Sequence, residues 1–199
     1  ALSGKLGKSA GAELLSASAL IDGSPALLAT LADGSTDGAA RAQLVQKLFG
    51  SISAGARSVL SAAVEQSWSN PAELLDGIEQ LGLRAEAAND SNLADELLAA
   101  AATVDSSHEL ELVLGSKLGD TQAKVQLVER LFTGKLSASA VGIVRHLVAN
   151  PRGRRLSPAL RESARVAADE GGSELATVTV AAPLTGEQQS RISSMLEKN

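Results

Sequence analysis

Residues 13–49 read ELLSASALIDGSPALLATLADGSTDGAARAQLVQKLF, and residues 96–132 read ELLAAAATVDSSHELELVLGSKLGDTQAKVQLVERLF. Glu13 maps to Glu96, Asp22 to Asp105, Leu44 to Leu127 and Phe49 to Phe132, each 83 positions on (96 − 13 = 83). Apolar positions persist while surface positions drift between acid, base and amide. An internal repeat of this kind marks one helical packing unit used twice.

Working outward, the flanking segments also show helical spacing. Leu14, Ser18 and Ile21 share one face, and Ala40, Leu44 and Leu48 recur every fourth residue. A helix from about Ser53 turns Ala56, Val59, Leu60, Ala63 and Val64 inward and ends near Trp68. Asn70 is placed to cap the next helix, with Pro71 at its first position, Glu73 completing a capping box, and Leu74, Leu75, Ile78 and Leu81 as its stripe. The second copy spans helices at about 92–104, 107–114 and 121–132. Another follows Ser137 with Ala140, Val141, Val144, Leu147 and Val148, and Asn150-Pro151-Arg152-Gly153 breaks it. Ser157-Pro158 opens a helix that Gly171-Gly172 closes. Residues 175–182, LATVTVAA, alternate and are β-branched, which predicts a strand. A second capping box, Thr185 with Gln188, starts a last helix carrying Ile192, Met195 and Leu196. A lone strand has no ladder for its backbone groups, so either strands beyond Asn199 or another chain must complete it.

Composition narrows the class. Forty-four per cent of the 199 residues are apolar but only 2% aromatic, so the core is built from Ala, Leu and Val. There is no Cys, which excludes disulfides and thiolate metal sites and fits a reducing compartment. No apolar stretch reaches the roughly 18 residues of a membrane span, and the start shows no signal-peptide pattern. The expectation is a soluble, cytoplasmic protein. Charge is uneven: residues 72–111 hold ten acids against Arg84, and residues 124–165 hold nine bases against Glu129 and Glu162. Two solvated faces, pairing within the fold and oriented binding all satisfy that pattern.

Candidate chemistry is thin. Gly7-Lys8-Ser9 lacks the earlier glycine of a phosphate loop, since residue 2 is Leu2, and no strand precedes it. His108 and His146 have no second ligand at helical metal spacing and no positioned catalytic partner. No G-x-S-x-G elbow occurs. Arg152, Arg154, Arg155, Arg161 and Arg165 lack the aromatic platform that single-stranded nucleic acid asks for. Phe49 and Phe132 hold equivalent repeat positions, which points to the core. Trp68 is placed to cover the join between the copies or to anchor a partner. Catalytic residues, metal ligands and cofactors are therefore expected to be none.

Residues 174–198, ELATVTVAAPLTGEQQSRISSMLEK, resemble the junction in the delta subunit of the F-type ATP synthase, the oligomycin-sensitivity-conferring protein family. The matching elements are Val178-Thr179-Val180-Ala181, Pro183-Leu184-Thr185 and Glu187-Gln188. Asn150-Pro151-Arg152-Gly153-Arg154 resembles the family's turn between its fifth and sixth bundle helices. Longer bacterial members, as in actinobacteria, carry Pro-Arg-Gly-Arg there and extra leading helices. One departure stands out: family members continue past the last helix, whereas this chain stops at Asn199, so its C-terminal domain is expected to be incomplete.

The resemblance implies an all-α protein: a six-helix bundle over 71–172, a partial helical repeat over 1–70 before it, and a truncated α+β remnant, one strand plus one helix, over 173–199. It implies a non-catalytic stator subunit of the peripheral stalk, on the cytoplasmic side of the bacterial plasma membrane and joined to the membrane only through partners. The partners it implies are the N-terminal helix of an alpha subunit and the stalk b subunit, with no nucleic acid. The alpha helix would enter a groove between the first and fifth bundle helices, about 72–88 and 137–149. Leu74, Ile78, Leu81, Val141, Val144 and Val148 are the candidate groove and adjacent core residues. Val178, Val180, Ile192, Met195 and Leu196 form either part of the b contact or an exposed half-core. The alternative is a generic helical-repeat adaptor for an amphipathic helix of another partner.

Overall fold

The computed structural model describes residues 6–116, 119–176, 178, 180, 182 and 184–196. The described residues form α1 (Ala10–Asp22), α2 (Pro25–Ala32), α3 (Gly38–Leu48), α4 (Ala54–Glu65), α5 (Pro71–Ala87), α6 (Leu93–Asp105), α7 (His108–Gly115), α8 (Thr121–Phe132), α9 (Ala138–Ala149), α10 (Leu156–Glu170) and α11 (Gly186–Leu196). The fold is all-α, as expected.

Packing repeats with the sequence and runs further than the sequence match. α1 lies along α5 as α6 lies along α10, α3 pairs with α4 as α8 pairs with α9, and α2 touches α1 and α5 as α7 touches α6 and α10. The register slips by one residue at α4, where Val59, Leu60, Ala63 and Val64 correspond to Ile143, Val144, Leu147 and Val148, all buried (143 − 59 = 84). It slips once more at α5, where Leu74, Leu75 and Ile78 correspond to Ala159, Leu160 and Ser163 (159 − 74 = 85). The repeat is thus a five-helix unit.

Two conserved-position contacts explain why particular polar residues recur in both copies. Glu13 accepts the Ser53 N–H at 3.0 Å, and Glu96 accepts the Ser137 N–H at 2.9 Å. Ser53 and Ser137 in turn cap α4 and α9, accepting from Ala56 and Ala140. Each glutamate therefore completes a capping box from a different helix, satisfying a donor the helix start leaves open. Phe49 and Phe132, at 5% and 3% exposure, are core residues as expected. The Thr185–Gln188 box forms, and Asn70 caps α5 by accepting the Glu73 N–H, while Glu73 reaches back to the Ser69 N–H and the Asn70 side chain instead of the Asn70 backbone.

The inward face of α3 differs from expectation. Arg41, Ala42, Val45 and Phe49 are buried, whereas Leu48 is exposed and Ala40 faces out with it. The reason is Arg41. Its guanidinium donates to the carbonyls of Leu31 (3.3 Å), Gln66 (3.3 Å) and Glu65 (3.4 Å), at the C-terminal ends of α2 and α4. Those carbonyls lack helical partners and carry the negative end of each helix dipole. Its counterpart Lys124 (124 − 41 = 83) is also buried and donates to the Ser116 carbonyl after α7. Arg41→Met, which keeps the volume and removes the donors, is expected to destabilise by about 2–3 kcal/mol in urea unfolding.

Two hydrophobic clusters make the core. One joins α1–α4 to Leu74, Leu75, Ile78 and Ala85 of α5. The other joins α6–α10 to Leu83 and Ala87 of α5 and Leu15 of α1. α5 contributes side chains to both cores. Trp68 packs within the first cluster and donates its Nε1–H to the Ala63 carbonyl at 2.9 Å, so it closes the end of α4 and does not cover a join between copies.

The strand expected over 175–182 is absent at its described residues, Leu175, Ala176, Val178, Val180 and Ala182. Thr177, Thr179 and Ala181 lie outside the described residues. β-branched alternation needs a neighbouring strand to fill its hydrogen bonds, and the described chain supplies none.

Candidate functional site

α5 is the hub on which the units meet. Gly11 of α1 and Gly82 of α5 mark the crossing of those helices: a Cβ on Gly11 would lie 2.5 Å from Glu86 Oε1, and one on Gly82 would lie 3.0 Å from Leu15 Cγ and 3.2 Å from the Gly11 carbonyl. The absence of side chains there lets the backbones approach closely. α1 also packs on α9. The two helices expected to bound a slot, α5 and α9, thus both carry α1.

The other face of α5 is fastened by charge. Glu79, 4% exposed, accepts from His146 Nε2 (3.0 Å), Arg152 Nη2 (2.7 Å) and Arg154 Nη1 and Nη2 (2.5 and 3.0 Å). Burial pushes its carboxyl up, but the His146 bond and the Arg154 and Arg152 guanidinium groups outweigh that and hold the pKa at about 2. Arg152 also pairs with Asp76 at 3.0 Å. The Asn150–Arg154 turn is shaped for this, since Arg152 and Gly153 take left-handed φ of 45° and 78° and Asn150 donates to the His146 carbonyl at 3.0 Å. Farther along, Arg84 pairs with Asp169 (2.7 Å) and Glu170 (3.2 Å) of α10.

Part of the charge asymmetry of the sequence resolves into pairing between the two segments. Asp76, Glu79, Asp105 and Glu111 of the acidic segment meet Arg152, Arg154, Arg161 and Arg155 of the basic one. The arginine run is a set of internal fastenings. His146 serves as a donor within the Glu79 cluster.

The six sequence-predicted residues are not brought together at one surface. Leu74 and Ile78 are fully buried in the first core, with Leu81 packed at its edge. Val141, Val144 and Val148 are buried in the second. One open groove among the described residues, of about 520 Å³, lies nearby between α1 and α9. Ala12, Ser16 and Ala19 form one wall, Ala138, Gly142 and Ala149 the other, with Leu15, Ile143 and Glu86 at the floor. Glu86 accepts from Ser139 at 2.5 Å. Lys8 and Arg145 stand at the rim. The small residues recur at intervals of four, three or seven on both helices, a signal present in the sequence but shared with ordinary close packing.

The chain is a duplicated helical scaffold, fastened internally, with an open groove of small residues between α1 and α9. The sequence profile of the ATP synthase delta (OSCP) subunit matches residues 82–199. The chain is 42% identical over 187 residues to the ATP synthase subunit delta of Leifsonia xyli subsp. xyli, covering 92% of this chain and 71% of that one. It is 33% identical over 193 residues to that of Streptomyces coelicolor (94% and 70%) and 33% over 199 residues to that of Corynebacterium jeikeium (96% and 73%). The chain belongs to the ATP synthase delta (OSCP) subunit family, and its role is structural rather than catalytic.

Proposed function

We propose that this peripheral-stalk subunit couples the catalytic head to the stalk by gripping the amphipathic N-terminal helix of an alpha subunit in the groove between α1 and α9. Its family membership makes it a stalk component, and one observation carries the finer reading: an open slot walled by small residues on two helices held rigidly by α5. Apolar anchors at helical spacing fit such a slot, and Lys8 favours an acidic residue at its rim, where Arg145 already pairs with Glu129 at 3.2 Å. Leu74, Ile78 and Leu81 act by fixing α5, and Val141, Val144 and Val148 by fixing α9, rather than by touching the partner. Helices α5–α10 form the family-type bundle, and α1–α4 buttress it. The segment beyond Glu170 opens a further domain, whose α11 exposes Met195 and Leu196 toward the b subunit. Among the described residues no single helix is long and apolar enough to cross a membrane. Attachment on the cytoplasmic side of the plasma membrane then runs through these partners.

A charge at Ile78 would strike the core, because that side chain is 0% exposed. Gly142 is the informative position: it is exposed, and a Cβ there meets nothing within 4 Å. Gly142→Trp fills the slot while leaving the fold intact. In inverted membrane vesicles it is expected to reduce ATP-driven proton pumping at least threefold while ATP hydrolysis persists. Full pumping with the indole in place would refute docking in this groove.

A further inference from the structure

We propose that Glu86 sets the specificity of the α1–α9 groove: its carboxylate receives an arginine or lysine carried among the apolar anchors of the docked helix. Glu86 is 6% exposed and stands at the groove floor beside Leu15 and Ile143. Its Oε2 accepts from the Ser139 hydroxyl at 2.5 Å. Among the described residues no other hydrogen bond and no ion pair reaches this carboxylate. Its Oε1 is open as well as unpartnered, because the only sealed side-chain nitrogen or oxygen without a partner among the described residues is Arg41 Nε. The opening is the groove that Glu86 lines.

Glu79, seven residues earlier on the same helix (86 − 79 = 7), shows what a buried carboxylate asks for. It is met by His146, Arg152 and Arg154. Glu86 is equally buried and has one neutral hydroxyl. A carboxylate taken out of water without a cation is costly, and a partner that brings the cation recovers that cost on docking. The cations at the rim do not supply it. Arg145 pairs with Glu129 at 3.2 Å, and Lys8 makes no ion pair among the described residues.

The carboxylate reaches the groove through a gap in α1. A Cβ on Gly11 would lie 2.5 Å from Glu86 Oε1 and 2.6 Å from its Cγ. In the second unit the counterpart of Gly11 is Ala94 (94 − 11 = 83) and that of Glu86 is Gly171 (171 − 86 = 85). Gap and carboxylate thus occur together beside the groove and are missing together from the other copy, so the packing of the five-helix unit does not require them. A long cationic side chain suits the place: its aliphatic stem lies along Leu15 and Ile143 while its head meets Oε1. This inference rests on docking in the α1–α9 groove.

The test is titration calorimetry of the whole chain with a synthetic alpha-subunit N-terminal peptide from the same organism. Glu86→Gln keeps the side-chain shape and an acceptor for Ser139. It is expected to bind the peptide at least tenfold more weakly, with unchanged helix content by circular dichroism. Each arginine and lysine of the peptide is then replaced by methionine in turn. One replacement is expected to weaken binding to the wild-type chain at least tenfold and to Glu86→Gln less than twofold. Unchanged affinity in Glu86→Gln, or a peptide with no such position, overturns the proposal; if Gly142→Trp is weakened in the same series, docking in the groove stands and the role of Glu86 alone falls. Equal binding to the wild-type chain and Gly142→Trp removes the docking site and the proposal with it.

Discussion

Replacing Glu79 with alanine is expected to lower the unfolding free energy by about 3 kcal/mol, because it removes the buried carboxylate that His146, Arg152 and Arg154 share. His146, Arg152 and Arg154 converge on this one carboxylate, and the Arg152 and Glu79 side chains are 15% and 5% exposed. The loss should appear in urea unfolding as a lower midpoint with little change in slope. The pH dependence carries the same signature. The folded pKa of Glu79, about 2, lies below its ordinary value of 4.5. Its contribution is complete above the unfolded value and fades as pH falls from about 4.5 towards 2. A depression of that size corresponds to about 3 kcal/mol. The wild-type chain should lose that increment across the window, and Glu79→Ala should not. Because the cluster ties α5 to α9 and to the Asn150–Arg154 turn, its loss also loosens one unit against the other.

The second large effect is expected from Gly82→Leu. A Cβ at Gly82 already approaches Leu15 and the Gly11 carbonyl, and backbone cannot swing aside as a side chain does. Overpacking of this kind costs about 3 kcal/mol, partly offset by about 1 kcal/mol gained on replacing a mid-helix glycine. The net loss should therefore be about 2 kcal/mol by thermal or urea unfolding. The second unit supplies the control. Its counterparts of Gly11 and Gly82 are Ala94 (94 − 11 = 83) and Ala167 (167 − 82 = 85), so the α6–α10 crossing already accepts a methyl group on each helix. Ala167→Gly should cost about 1–2 kcal/mol through helix propensity and the loss of a buried methyl. Moving α1 away from α5 also shifts one wall of the α1–α9 groove, so Gly82→Leu should weaken partner binding as well as stability.

Legibility in the sequence followed the range of the interactions. Caps such as Asn70–Glu73 and stripes such as Val59, Leu60, Ala63 and Val64 are local, and they could be placed from spacing alone. The duplication was visible because Glu13 and Glu96 do the same work at the starts of α4 and α9. The face of α3 was misjudged because a buried arginine looks like a surface residue until the three carbonyls it serves are in view. The Glu79 cluster was hidden for a related reason. Its partners lie 67 to 75 residues away, and only the opposite charge bias of the two segments hinted at it. The alternation at 175–182 expressed a preference for a sheet that the described chain does not supply. The groove escaped because Ala12, Ser16, Ala19 and Gly142 are small, and attention went to the large apolar side chains that turned out to form the cores.

The most direct measurement is titration calorimetry of the whole chain with a synthetic peptide of the alpha-subunit N-terminus from the same organism. Docking in the α1–α9 groove predicts saturable binding to the wild-type chain and at least tenfold weaker binding to Gly142→Trp, a difference of about 1.4 kcal/mol. Binding of equal strength to both proteins, or no heat with the folded wild-type chain, would contradict the account.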